Sequence, residues 1–290
     1  MEGMTPDLAI DLIKATVQLE QPLGDGTKTV GTGFLVNAPT PDGRPRTVLI
    51  TSGHVFDRMP FPEARVGWRV ASEAADWRYA PAAFTIRTGT TPSGAPLWKR
   101  HPTQDVAAIT ITAPPEFTKA AIPLAWLADD ATFTRYDVRP GDEMMALGFP
   151  KGLSSNRAGF PILRWGRVAS YPLTPASVFP NFLLDFRVFD GNSGGPVFMA
   201  DPRRSSRGVK EPGAYFIAGV LTRQVEIKGD RLEIGVVTHA KHVREAIALL
   251  DQRPAAAPAV AAKPVPPPVG VQPATTAPPA GTRPASAPAG

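Results

Sequence analysis

Ser193 stands in the run Phe189-Asp190-Gly191-Asn192-Ser193-Gly194-Gly195-Pro196-Val197. Glycines on both sides let the backbone turn sharply and leave room for a substrate carbonyl. The N–H groups of Gly191 and Ser193 can then converge on a developing oxyanion. A serine hydroxyl is a weak nucleophile at neutral pH and needs a base, and the base needs an orienting group. Upstream, His54 follows the apolar run Val48-Leu49-Ile50 and the small-residue turn Thr51-Ser52-Gly53. Asp105 opens Asp105-Val106-Ala107-Ala108-Ile109, where a carboxylate entering a buried strand is costly unless a partner such as a histidine N–H satisfies it. Taken singly, each has a plainer reading: a glycine-rich turn, a structural histidine, a turn residue at a strand start.

Gly191-Asn192-Ser193-Gly194-Gly195 also satisfies the G-x-S-x-G pattern of α/β-hydrolases. That elbow requires a helix directly after the serine and a catalytic histidine downstream. Here Gly194-Gly195-Pro196 leads into an apolar strand, and using His239 or His242 would leave His54 and Asp105 without a purpose. His101, His239 and His242 also raise the question of a metal site, but no nearby cysteine or second carboxylate pair completes one. No metal or organic cofactor is expected.

The elements that must hold these residues are short. Stretches rich in Val, Ile, Leu, Phe or Thr, bounded by Gly, Pro, Asp and Asn, predict strands at 16–20, 31–36, 47–51, 84–87, 106–112, 143–147, 163–170, 183–189, 196–199, 214–222 and 232–237. Val243, Ile247 and Leu250 share one face of a predicted helix over 241–250, and a short helix is possible over 7–14. Many short strands with one terminal helix argue for an all-β barrel or sandwich.

Composition bounds the rest. Eleven of the 34 prolines fall in residues 253–290, a stretch without acidic or aromatic residues that cannot build a core and is expected to be disordered. The predicted plan is therefore an N-terminal extension (1–14), one folded domain (15–252) and a Pro/Ala-rich tail (253–290), whose Pro264-Val265-Pro266-Pro267-Pro268 segment could dock a partner. Arg253, Lys263 and Arg283 account for three of the five net positive charges. No basic run interleaved with aromatics remains in the domain, so nucleic acid is not an expected partner. Arg203, Arg204 and Arg207 read as a solvated hairpin loop. No stretch reads as a membrane span. The chain has no cysteine, which suits a reducing compartment. If Met1 is the native start, a cytoplasmic protein is expected; a trimmed start would leave export open.

In order and spacing, His54, Asp105 and Ser193, separated by 51 and 88 residues, resemble the catalytic triad of trypsin-like (chymotrypsin-fold) serine peptidases. Gly31-Thr32-Gly33-Phe34-Leu35-Val36 is similar to a first-barrel strand of that family. Ala146-Leu147-Gly148-Phe149-Pro150 and Gly166-Arg167-Val168 are similar to strands opening the second barrel, and Gly235-Val236-Val237-Thr238 to its last strand. The resemblance spans residues 15–252 and is nearest to bacterial HtrA-type and glutamyl-endopeptidase-like branches, with no PDZ domain expected after the helix. It implies two six-stranded antiparallel β-barrels and a serine endopeptidase acting on protein or peptide substrates. His54 would be the base, Asp105 its orienter, and the N–H groups of Gly191 and Ser193 the oxyanion hole. A trypsin-fold binding protein without a working site is the alternative. Asn192 replaces the aspartate that pairs with a new N-terminus in digestive members, so activation by N-terminal cleavage is not implied. The resemblance also puts Arg187, six residues before the nucleophile, at the base of the primary specificity pocket. Arg223 or Gln224 would lie in its wall, and Gly235 would keep it open. A guanidinium there would favour an acidic residue before the scissile bond, a small or aliphatic preference being the alternative.

Overall fold

Thr47-Val48-Leu49-Ile50-Thr51 illustrates how the core is made: four of its five residues are buried, as expected of a strand covered on both faces. In a computed structural model the chain is described for residues 7–71, 76–89, 94–204 and 213–252. The tail expected to be disordered, and Arg207, lie outside the described residues.

The N-terminal half comprises α1 (Leu8–Ala15), β1 (Thr16–Pro22), β2 (Lys28–Asn37), β3 (Thr47–Thr51), α2 (Gly53–Asp57), β4 (Glu63–Ala71), β5 (Trp77–Thr85), β6 (Lys99–Arg100), β7 (Ala107–Thr110), α3 (Pro115–Ala120) and β8 (Ile122–Pro123). Its strands pair in the order β5-β4-β1-β2-β3-β7-β6, with β8 parallel to the end of β2. After α4 (Asp130–Arg135), the C-terminal half comprises β9 (Glu143–Gly148), β10 (Ile162–Val168), β11 (Asn181–Asp185), β12 (Pro196–Asp201), β13 (Ala214–Ile227), β14 (Asp230–His239) and α5 (Ala240–Ala248). These six strands close into a barrel, β10-β11-β14-β13-β12-β9. The protein is thus mostly β, with a closed six-stranded antiparallel barrel, a second sheet and a C-terminal helix. Where a second ring of six was expected, the described strands of the N-terminal half pair as an open eight-stranded sheet with β5 and β6 at its edges.

β3 has its predicted bounds, because a continuous apolar run between polar turns admits few registers. β4 and most of β5 went unseen in the sequence. β4 mixes Glu63, Arg65 and Arg69 among its apolar residues, and β5 carries Pro81 on the sheet edge, where no neighbour needs its missing N–H. β11 stops at Asp185, so the strand expected to run through Phe189 ends four residues early.

The segment expected as an N-terminal extension carries α1, which packs against the domain. Leu8, Leu12 and Ala15 of α1 are fully buried in the same hydrophobic cluster that runs through both sheets. Arg69 fastens this helix. Its guanidinium donates to the carbonyls of Lys14 (2.6 Å) and Gly159 (3.2 Å) and lies against the rings of Phe117 and Phe160, 5.0 and 4.8 Å from their centroids. Backbone carbonyls and aromatic faces stand in for a counter-ion.

Candidate active site

The turn after β3 delivers His54 to the first turn of α2, and the loop between β6 and β7 delivers Asp105. They meet at two points. The His54 amide donates to Asp105 Oδ1 at 3.0 Å, and the ring Nδ1 faces Oδ2 at 2.6 Å. A carboxylate receiving Nδ1–H leaves the lone pair on Nε2, the tautomer a general base needs. Burial, the largest influence on Asp105, pushes its carboxyl up. The hydrogen bonds and charge of His54, with the Arg100 guanidinium, outweigh that and hold it below the usual carboxylate range.

The Asp105 loop is itself anchored. His101 Nδ1 accepts the amides of Thr103 (3.3 Å) and Gln104 (3.1 Å), so its proton sits on Nε2, which faces Glu245 Oε2 of α5 at 2.8 Å. His242 Nδ1 meets the same oxygen at 2.8 Å. Glu245 is the carboxylate that the sequence reading did not connect with these histidines; among the described residues the three offer ligand atoms within 4.8 Å of one another. A metal ligand on Nε2 would need its lone pair free while Nδ1–H donates outward. His101 has the opposite arrangement, which is that of a hydrogen-bonded clamp.

Ser193 sits in the turn before β12. Its hydroxyl donates to the carbonyl of Thr222 at 2.9 Å, and among the described residues no hydrogen bond joins it to His54. A bulge lies at the acceptor: Leu221 pairs with Val237 and Arg223 with Val236, so Thr222 is the extra residue of β13. Around the serine the backbone is held by residues the sequence did not single out. Thr32 of β2 donates through Oγ1 to Gly191 O (2.6 Å) and through its amide to Ser193 O (2.9 Å). Its Oγ1 also accepts the Phe149 amide at 3.1 Å. A threonine between two glycines in Gly31-Thr32-Gly33 was the available signal. Lys151, left-handed at φ 51°, donates its amide to Asp190 O at 2.6 Å. Because the peptide is trans, the Gly191 N–H then points away from that turn. Among the described residues neither it nor the Ser193 N–H meets an intramolecular acceptor.

Residues 31–203 match the profile of the trypsin-like peptidase domain family. The chain belongs to that family. Among solved structures it is similar to a variant of the HtrA-type protease AlgW with a tripeptide, at 16% identity and a TM-score of 0.50, covering 84% of this chain and 62% of that one. It is also similar to a serine endoprotease from Yersinia pestis, at 13% identity and a TM-score of 0.48, covering 86% and 68%. At these identities the likeness is one of fold, and the chain spans 62% of the length of the AlgW structure. No curated protein sequence is significantly similar to it.

In this trypsin-like peptidase domain, His54, Asp105 and Ser193 line one cleft of about 560 Å³ together with Arg223, Gln224 and Val236. The Gln224 amide, oriented to satisfy both neighbours, donates to Val188 O (2.7 Å) and accepts from Arg231 Nε (2.8 Å), tying two walls together. Arg187 does not belong to this group. With β11 ended at Asp185, its side chain turns to solvent, pairs with Glu233 at 2.9 Å and lies over the Phe189 ring. Arg187 thus lies outside the residues lining the cleft, whereas Arg223 and Gln224, expected in the pocket wall, are among them. Gly235 does not line the cleft either. A Cβ there would sit 3.0 to 3.2 Å from Phe186, Val188 and Leu221, so it permits close packing behind the wall. No helix among the described residues is long and apolar enough to cross a membrane.

Proposed function

We propose that the protein is a serine endopeptidase that hydrolyses peptide bonds through an acyl-enzyme. The observation that carries this reading is the two-point contact between His54 and Asp105 in the cleft that also holds Ser193. The Ser193 hydroxyl leaves Thr222 O, passes its proton to His54 Nε2 and attacks the substrate carbonyl. The N–H groups of Gly191 and Ser193 receive the oxyanion. His54 returns the proton to the leaving amine, and a water, deprotonated in turn by His54, cleaves the ester and restores the serine. Asp105 keeps the ring in the required tautomer throughout. A protein or peptide chain is the substrate class this reading implies.

A second reading, a binding protein that keeps the fold without turnover, draws on the Ser193–Thr222 hydrogen bond, since a hydroxyl bonded there is not bonded to its base. Labelling with a fluorophosphonate probe separates the two. The peptidase reading expects labelling that disappears in Ser193→Ala. Folded wild-type protein that does not label supports the binding protein.

A further inference from the structure

Asp105 has a second cationic neighbour besides His54. Arg100, on the edge strand β6, places one guanidinium nitrogen 3.2 Å from Asp105 Oδ1 and the other on Asp57 Oδ2. Asp57 is the last residue of α2, the helix that begins Gly53-His54. The guanidinium therefore bridges the element carrying His54 to the loop carrying Asp105. It also lies against Gly53: a Cβ there would be 2.9 Å from its Cζ and Nε, and 3.1 Å from Asp105 Oδ1. Only a residue without a side chain lets Arg100 and Asp105 meet over the start of α2. The planar fork suits this place, because two nitrogens address two carboxylates at once.

We propose that Arg100 is a positioning residue that clamps Asp105 beside His54 and, through its charge, limits how strongly Asp105 stabilises the protonated ring. The effect on turnover rests on the peptidase reading; the effect on the ring does not. Oδ2 of Asp105 serves the imidazole, while Oδ1 is shared between the His54 amide and Arg100. A positive charge at Oδ1 offsets part of the carboxylate's pull on an imidazolium. Asp57, on the far side of the guanidinium, acts with the opposite sign. The remaining charged groups on the cleft wall are Arg58, Asp190, Arg223, Glu226 and Arg231. Among the described residues none of them pairs with Asp105, whose ionic partners are His54 and Arg100.

The test titrates the His54 ring by NMR in the full chain, with its signal assigned by loss in His54→Ala, and runs the kcat/KM profile on a peptide in parallel. Arg100→Met removes the offsetting charge, so the ring should hold its proton to a pH higher by about half a unit to one unit, and the acid limb of kcat/KM should follow. Asp57→Asn should move both the other way. Arg100→Lys keeps the charge without the fork, so it should stay near the wild-type midpoint with a lower kcat. A general loosening of the structure would not give opposite signs for the two neighbours. Midpoints in Arg100→Met and Asp57→Asn that agree with wild type within about 0.2 unit overturn the inference. If Arg100→Met does not fold, the Asp57→Asn shift alone decides, its absence or reversal overturning the proposal. Shifts as expected in a protein that never labels with fluorophosphonate sustain the inference and overturn the peptidase reading alone.

Discussion

The amide of Lys151 donates to the carbonyl of Asp190 at 2.6 Å, and this contact sets the direction of the Asp190–Gly191 peptide. Gly191 can accept that direction because it has no Cβ. At its φ of 92° an added Cβ would lie 2.3 Å from the Phe149 carbonyl. Gly191→Ala should therefore turn the peptide or open the turn, and the N–H with it. We expect kcat to fall by about 10²- to 10³-fold, the scale for losing one oxyanion donor, measured on a peptide substrate with binding of a non-hydrolysable analogue as the control.

Asp105→Asn keeps the shape of the side chain but presents an amide to the histidine. The neutral ring can then adopt the wrong tautomer, and turnover should drop on the order of 10⁴-fold while the fold persists. A loss below about tenfold would mean that the contact with Asp105 is not what orients His54.

Arg187→Ala should leave the cleavage profile on a peptide library unchanged, because the guanidinium pairs with Glu233 outside the cleft. As a surface pair it should also cost under about 1 kcal/mol of stability. A change in the preferred residue before the scissile bond in this variant would return Arg187 to the pocket.

Arg69→Met removes a guanidinium that holds three carbonyls and two aromatic rings under α1. Unsatisfied carbonyls and lost packing should lower stability by about 2–4 kcal/mol, read from urea unfolding, with fluorophosphonate labelling retained at low temperature.

His239 makes stability depend on pH. Burial between Phe133 and Phe182, and secondarily the charge of His242, push its titration down to about 4 from the usual 6.5. The unfolded chain thus takes up a proton at a pH where the folded one does not. Stability should be full above about pH 6.5 and decline as the pH falls toward 4, by up to about 3 kcal/mol from this group. Urea midpoints across that range should show a shallower slope in His239→Gln.

His54, Asp105 and Ser193, which line one cleft, were legible as candidates because the chemistry proposed for them needs uncommon residue types where apolar strands meet small-residue turns, and such junctions stand out. β3 was legible for the same reason. Lys151, Thr32 and Arg100 were not, because each acts through a partner chosen by the folded chain; the Thr32–Gly191 contact spans 159 positions. Lys151 contributes its backbone amide, which any residue but proline could supply. Arg187 shows the opposite failure. A position counted back from the nucleophile presumes where β11 ends, and a strand four residues shorter turned the side chain outward. His101, His242 and Glu245 could be seen singly but not as a cluster, since the pairing of α5 with the Asp105 loop is decided by tertiary packing.

The carbonyl of Thr222 gives the Ser193 hydroxyl a resting acceptor other than His54. On the peptidase reading proposed above, one hydrogen cannot serve Thr222 and His54 together, so Ser193 would be latent as a nucleophile until the hydroxyl swings across. Such a rotor costs about one hydrogen bond, roughly 0.5–1.5 kcal/mol, and turns over in picoseconds to nanoseconds. Latency of this kind leaves no lag in a progress curve and needs no chain cleavage to lift it. It lowers the standing reactivity of Ser193 about two- to tenfold, a toll that a substrate amide occupying the Thr222 carbonyl would abolish on arrival.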